Sequence, residues 1–234
     1  MSIALRPGSD PTAVPSLDSP ISLQCGVLLF DLDGVLVDSS ACVERTWHSW
    51  ALRHEIDPAR VIAVAHGRRT IETIQLVAPH LSPEAEVAAL EDIESNTTEG
   101  VFEVRGAREL LRSLPTKRWA IVTSGTRSVA TLRIQHTQLP MPDVLVCADE
   151  IQRGKPDPEG YLTAAKRLGI DPASCVIIED TPLGLEAARA AGMRSIAVCG
   201  TYDRDELTMA DYMIPNLAAL RVTAGNEPRR WSFN

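Results

Sequence analysis

The sequence predicts an α/β fold, a doubly wound parallel sheet interrupted by an all-α insert, on three observations. Apolar runs of strand length recur as GVLLF (26–30), WAIVT (119–123), VLVCA (144–148), CVII (175–178) and SIAVC (195–199). Unbroken apolar character, as opposed to alternation, marks strands covered on both faces. Helical spacing separates the later runs, and strand alternating with helix builds a parallel sheet. Between Asp38 and Val104 no strand-like run occurs while helical patterns continue, so a small helical unit is inserted after the first strand.

Taken in order, residues 1–22 are rich in Pro, Ser and Asp, lack periodicity and lack the apolar core of a signal peptide, so a flexible tail is expected. The first strand ends in FDLDGVLVD, which sets Asp31, Asp33 and Asp38 directly behind an apolar run. An unpaired carboxylate taken out of water costs several kcal/mol, so such a cluster needs a compensating cation or the solvent-facing end of the strand. Asp31 and Asp33, two apart, point the same way if the strand continues that far. In the insert, Trp47, Trp50 and His54 share one helix face, and Ile71, Ile74, Val77 and Ala78 share another. Ser82-Pro83-Glu84 starts a third helix with a cap residue, a proline and an early acid. Beyond it, Ala107, Leu110, Leu111 and Leu114 recur at helical spacing, and Leu183–Ala191 runs to Gly192 as a C-terminal glycine. The expected division is a tail over 1–22, a core domain over 23–38 and 105–234, and a helical domain over 39–104.

A chain of 234 residues, 44% hydrophobic, suffices for one large domain with a smaller one inserted. With 31 acidic against 23 basic residues and a formal charge of −8, neither nucleic acid nor an anionic membrane is expected as a partner, although a local cationic pocket can still hold a small anion. The five cysteines, Cys25, Cys42, Cys147, Cys175 and Cys199, form no CxxC pair and several lie in apolar runs, which reads as buried thiols of a cytoplasmic protein. No apolar run approaches the roughly 20 residues that span a bilayer. A monomer is expected.

In open parallel sheets ligands sit outside the carboxyl ends of the strands, so the residues just after each apolar run matter most. Those positions hold Asp31 and Asp33, then Thr123 and Ser124 with Gly125, then Lys155 in GKPDP, then Glu179 and Asp180. Excess carboxylate selects a hard cation such as Mg²⁺, while Lys155 and the Thr123 hydroxyl suit phosphate oxygens. Singly, each has a plain structural alternative. Asp31 and Asp33 fit a strand-end turn, Thr123-Ser124-Gly125 a helix cap, Lys155 a solvated loop and Glu179-Asp180 the cap of the next helix. Their shared position at strand ends favours a site.

FDLDG, the hydroxyl after the second strand, GKPDP and IIEDTPLGLEAARAAG together resemble, in order and spacing, the motifs of the haloacid dehalogenase-like phosphohydrolase superfamily over about residues 25–200. The resemblance implies a Rossmann-like core with a helical cap. It makes Asp31 the nucleophile, Asp33 the general acid/base, Thr123 a ligand of the transferring phosphoryl group and Lys155 the stabiliser of both. It further implies Mg²⁺ held by Asp31, Asp33, Glu179 and Asp180. HGRRT (66–70), VRGA (104–107), WAIVTSGT (119–126) and GKPDPEGYL (154–162) resemble the glycerol-phosphate and 2-deoxyglucose-6-phosphate phosphatases most, which implies a small sugar or polyol phosphate as substrate. Val35, where many of these phosphatases carry Thr, also occurs in the related β-phosphoglucomutase. A phosphosugar mutase is thus the alternative reading, and a non-catalytic phosphometabolite-binding protein a more distant one.

Catalytic groups at strand ends do not choose among phosphates, so selection falls to the insert. His66, Gly67, Arg68 and Arg69 precede a helix expected to start near Thr70, where cations are mildly unfavourable. Two solvated loop arginines are one reading. Arginines that reach substrate hydroxyls or phosphate, with Gly67 allowing close backbone approach, are the other.

Overall fold

The computed structural model describes residues 2–5 and 21–223. The strands are β1 (Ser2–Leu5), β2 (Ile21–Gln24), β3 (Val27–Phe30), β4 (Val37–Asp38), β5 (Phe102–Glu103), β6 (Trp119–Val122), β7 (Leu145–Val146), β8 (Cys175–Glu179), β9 (Arg194–Val198), β10 (Tyr212–Ile214) and β11 (Leu220–Thr223). The α-helices are α1 (Ser40–Arg53), α2 (Pro58–Ala65), α3 (Thr70–Val77), α4 (Pro83–Glu94), α5 (Ala107–Ser113), α6 (Arg127–His136), α7 (Glu159–Leu168) and α8 (Pro182–Ala190).

The apolar runs form one six-stranded sheet in the order β10-β9-β8-β3-β6-β7, and all its pairs are parallel. The chain fills one side of β3 with β6 and β7, then crosses to start again at β8, so connections diverge and leave a crevice above β3. Side-chain alternation sorts each strand between two cores. Leu28, Phe30, Trp119, Ile121, Val176 and Ile178 pack against α5 and α6. Val27, Leu29, Ala120, Val122 and Ile177 pack against Tyr161, Ala164 and Ala165 of α7 and Ala187 and Ala188 of α8. Each of the larger side chains contributes about 1.5–3 kcal/mol through burial, which explains why neither face tolerates polar residues.

Helices α1–α4 enclose a core of their own, with Trp47 and Trp50 stacked edge-on at 5.3 Å and packed with Val61, Ile74, Val77 and Leu90. Glu86 of α4 accepts from the Trp50 indole at 2.8 Å and meets the His54 ring at 3.0 Å, so the aromatic face read from the sequence carries a polar clasp. The insert leaves and rejoins the sheet layer through the two-residue antiparallel ribbon β4–β5. Helix α2, not anticipated, is set by Asp57, whose carboxylate accepts from Ala59 N ahead of Pro58.

Two expectations are corrected. Ser2–Leu5 and the start of β2 are not an unstructured tail: β1 pairs antiparallel with β2 and with β11 in a three-stranded sheet. Pairing with a strand some 200 residues away in sequence leaves no local periodicity to read. The remainder of that expectation, residues 6–20, lies outside the described residues. VLVCA gives only a two-residue strand, because Ala148 N turns to Gly125 O and starts a 3₁₀ turn. No disulfide joins the cysteines, of which Cys25, Cys42, Cys147 and Cys175 are buried. Among the described residues no helix is long and apolar enough to cross a membrane.

Candidate active site

The register of the sheet gathers the charged strand ends. Phe30 lies opposite Ile121 on one side and Ile178 on the other, so the next residues, Asp31 and Glu179, are neighbours, and Asp31 N donates to Ile178 O at 2.9 Å. Lys155 Nζ reaches between them, to Asp31 Oδ1 at 2.6 Å and to Glu179 Oε1 at 2.5 Å. The Lys155 side chain is 6% exposed, so its charge needs both carboxylates. Burial would depress this lysine, but the charges of Asp31 and Glu179 outweigh that and keep it protonated above its ordinary range.

Glu179 is the anchor of the group. Its Oε1 also accepts from Tyr161 OH at 2.8 Å, and its Oε2 accepts from Asp180 N, Thr181 N and Thr181 Oγ1. Burial would raise its pKa, yet Lys155 and these hydrogen bonds hold it below the usual range. Asp31 responds the other way: burial pushes it up to about 7, with Lys155 pulling against that. Asp180, 1% exposed, is raised well above its ordinary value by burial and by the neighbouring Glu179 and Asp31 charges. Its Oδ1 is buried with no hydrogen-bond partner.

Oxygens of Asp31, Glu179 and Asp180 lie within 4.8 Å of one another, a grouping able to hold a cation. A bound cation would satisfy the orphaned buried carboxylate oxygen of that grouping. Glu179 belongs to this grouping while its oxygens also accept from Lys155, Tyr161, the Thr181 hydroxyl and two backbone N–H groups. The Asp33 carboxylate is not part of that grouping, and its Oδ1 accepts from Ser39 Oγ at 2.6 Å and from Arg133 Nη1 at 2.7 Å. Asp33 sits in a tight loop after β3, bridged to Val37, where Gly34 has φ +81° and a Cβ would strike Asp180 Oδ2.

Across the cavity, Thr123 is buried and its hydroxyl accepts from Gly125 N at 3.0 Å ahead of α6. Ser124 Oγ donates to Gly67 O at 2.8 Å, so core and insert touch here. The cavity is lined from the core by Asp31, Asp33, Thr123, Ser124 and Gly125, and from the insert by His66, Gly67, Arg68, Trp47 and Glu94. Lys155 lies behind Asp31, with two of its protons committed to carboxylates, so its first task is to hold Asp31 and Glu179.

Arg68 and Arg69, read as a pair, have separate tasks. Arg68 faces the cavity, half-buried, and among the described residues its guanidinium is committed through Nε, to Val64 O. Arg69 is 9% exposed and spends its guanidinium on Glu72, Ile151 O and Gln152 O, while Glu72 also accepts from Gly154 N. The expectation that Arg69 contacts substrate is therefore corrected: it ties the start of α3 to the loop that carries Lys155. The energetic objection to a cation at a helix N-terminus is met by Glu72 in the first turn. Gly67, at φ +76°, gives close approach to Thr181 of the core, whose hydroxyl a Cβ would meet at 2.8 Å.

Sequence reasoning missed Ser39, Tyr161, Glu94 and Arg133. For Arg133 a signal existed: it falls on the face of α6 that carries Val129, Ala130 and Ile134, all buried, where a charge requires a partner.

Known proteins resemble this chain in sequence and fold. The family model described as haloacid dehalogenase-like hydrolase matches residues 28–198. The chain is 42% identical over 207 residues to hexitol phosphatase A of Escherichia coli (strain K12), covering 86% of this chain and 95% of that one. It is 34% identical to glycerol-1-phosphate phosphohydrolase 2 of Saccharomyces cerevisiae, covering 88% of each. The crystal structure of a β-phosphoglucomutase from Clostridium difficile shares the fold at TM-score 0.69 and 22% identity, over 82% of this chain and 92% of that one. The chain belongs to the haloacid dehalogenase-like hydrolases.

Proposed function

We propose that this haloacid dehalogenase-like hydrolase is a Mg²⁺-dependent phosphatase of small polyol or sugar phosphate monoesters, working through an aspartyl-phosphate on Asp31. The observation that carries the reading is the buried Asp31 carboxylate, fixed by Lys155 beneath a polar cavity and beside the orphaned Asp180 Oδ1. Relatives named as hexitol and glycerol-1-phosphate phosphatases, aligned over nearly their whole length, support the polyol class.

Asp31, Glu179 and Asp180, with Asp33 on the adjoining loop, would hold the Mg²⁺, and Glu179 also fixes Lys155 beside them. When bound, the metal supplies positive charge that offsets the repulsion between a phosphate dianion and a carboxylate. Asp31 attacks phosphorus, the P–O bond to the alcohol breaks, and Asp33 gives its proton to the departing oxygen. Asp33 then takes a proton from water, whose oxygen attacks the same phosphorus, and the Asp31–phosphorus bond breaks to release phosphate. Thr123 and the backbone N–H groups at the start of α6 receive the phosphoryl oxygens, which favours charge as it develops. The insert acts as a cap over this cavity, and Arg68 with His66 meets the alcohol part of the substrate.

Val35, which left phosphoryl shuttling open, is fully buried in the apolar core and does not reach the site. Buried thiols without disulfides fit a reducing, cytoplasmic setting. The test is a panel of hexitol, glycerol and sugar phosphates assayed for free phosphate with and without Mg²⁺. Metal-dependent release is expected. Isomerised sugar phosphate without release would make the protein a mutase, and binding without turnover would make it a sensor.

A further inference from the structure

We infer that Arg133 is a positioning residue for Asp33 and that Glu94, on the insert, is its anchor, so that the acid/base is held in its reacting orientation only while the insert is docked. The inference rests on the reading of Asp33 as acid/base. Arg133 projects from α6 of the core, 4% exposed, and donates from Nη1 to Asp33 Oδ1 at 2.7 Å and from Nη2 to Glu94 Oε1 at 3.1 Å. Its guanidinium thus spans the cleft. One prong touches the loop after β3, the other the last turn of α4, and Ser128 Oγ meets Glu91 Oε1 at 2.5 Å on the same faces of α6 and α4. Both Asp33 and Glu94 line the cavity with Arg133 between them.

A planar fork fixed at two points has one orientation, whereas a fork held only by Asp33 is free to swing with it. Ser39 Oγ, on the chain entering the insert, donates to the same Asp33 Oδ1, so both fixed donors on this carboxylate oxygen converge from the side where insert and core meet. With Oδ1 held twice, Oδ2 is the oxygen left to carry a proton to the leaving alcohol. Withdrawal of α4 removes the Glu94 prong and leaves Arg133 free to rotate, so that Ser39 is the one fixed donor left on Asp33 Oδ1. Cap docking and acid/base alignment are therefore one event.

The experiment separates alignment of the acid from general damage by leaving group. Glycerol or hexitol phosphate needs a proton on its departing alkoxide, whereas p-nitrophenyl phosphate leaves as a stable phenolate. Rapid-quench phosphorylation of the full chain with Mg²⁺ is followed for both substrates in Asp33→Asn, Arg133→Met and Glu94→Ala. Arg133→Met should slow phosphorylation by the alkyl phosphate about 10²-fold, in line with the cost of misplacing a proton-transfer group, while the p-nitrophenolate burst keeps its rate within about threefold. Glu94→Ala should show the same selectivity at about tenfold, and Glu94→Gln, which keeps an acceptor for the guanidinium, should recover most of it. Equal slowing of both substrates in Arg133→Met, or none in either, overturns the inference. If Arg133→Met does not fold, Glu94→Ala carries the test alone, and wild-type alkyl phosphorylation there overturns it. If Asp33→Asn itself keeps alkyl turnover, the acid/base reading fails first, and that result is distinct from the others.

Discussion

Two buried cations organise this site, and they differ in where their partners come from. Lys155 is held by Asp31, just after β3, and by Glu179, at the end of the adjacent β8, so both its partners are fixed by the register of one sheet. Arg133 is held by Asp33 on the core and Glu94 on the insert, so its geometry depends on two bodies staying together. On the proposed mechanism, the first arrangement suits a nucleophile that must be ready at all times, and the second a proton donor needed only when substrate is enclosed and water excluded. The same division runs through the adjacent arginines, with Arg69 committed to backbone carbonyls across the cleft and Arg68 open to the cavity.

The comparison is broken most severely at Asp31. Asp31→Asn keeps shape but removes the attacking oxygen anion, so turnover of every substrate should fall by at least about 10²-fold with the fold intact, measured as phosphate release alongside circular dichroism. Residual activity near wild type would move the nucleophile elsewhere. Lys155→Met should come next, with losses above about 10²-fold that are the same for alkyl phosphates and p-nitrophenyl phosphate. Selectivity by leaving group there would erase the contrast with Arg133.

Smaller effects sharpen it. Arg69→Ala leaves the Ile151 and Gln152 carbonyls and Glu72 without their donor, a cost of about 1–3 kcal/mol. That corresponds to a few °C in Tm for a domain of this size, with KM rising alike for all substrates. Arg68→Ala should spare Tm and raise KM for polyol phosphate several-fold more than for p-nitrophenyl phosphate. If the two variants exchange behaviour, the assignment of one to the cleft and one to the substrate is wrong.

The smallest predicted signal is thermal. Asp31, pushed up to about 7, and Asp180, raised well above its ordinary value, bind protons more readily folded than unfolded, so their contribution to stability is present at low pH and lost as pH rises through the folded values. Mg²⁺ replaces those protons. The gain in Tm on adding Mg²⁺ should therefore be larger at pH 8 than at pH 5, and a gain independent of pH would place the metal away from these carboxylates.

The five apolar runs announce the sheet because burial on both faces leaves no room for polar residues, and the strand-end rule then locates Asp31, Thr123, Lys155, Glu179 and Asp180. What stayed hidden depends on contacts between distant segments. Nothing near Ser2–Leu5 announces a partner at Leu220–Thr223. Adjacent arginines look alike in a sequence, and only the approach of residues 151–154 separates Arg69 from Arg68. Glu94 and Arg133, 39 positions apart, carry a joint meaning only once α4 lies on α6.

The central claim is that phosphate passes through Asp31, and trapping that intermediate tests it most directly. Asp33→Asn removes the base that releases phosphate, so enzyme mixed with p-nitrophenyl phosphate and Mg²⁺ and quenched in acid should carry one phosphoryl group on the peptide containing Asp31, located by mass spectrometry. Phosphate release by the wild type with no phosphoryl group on Asp31 in either protein would contradict the account.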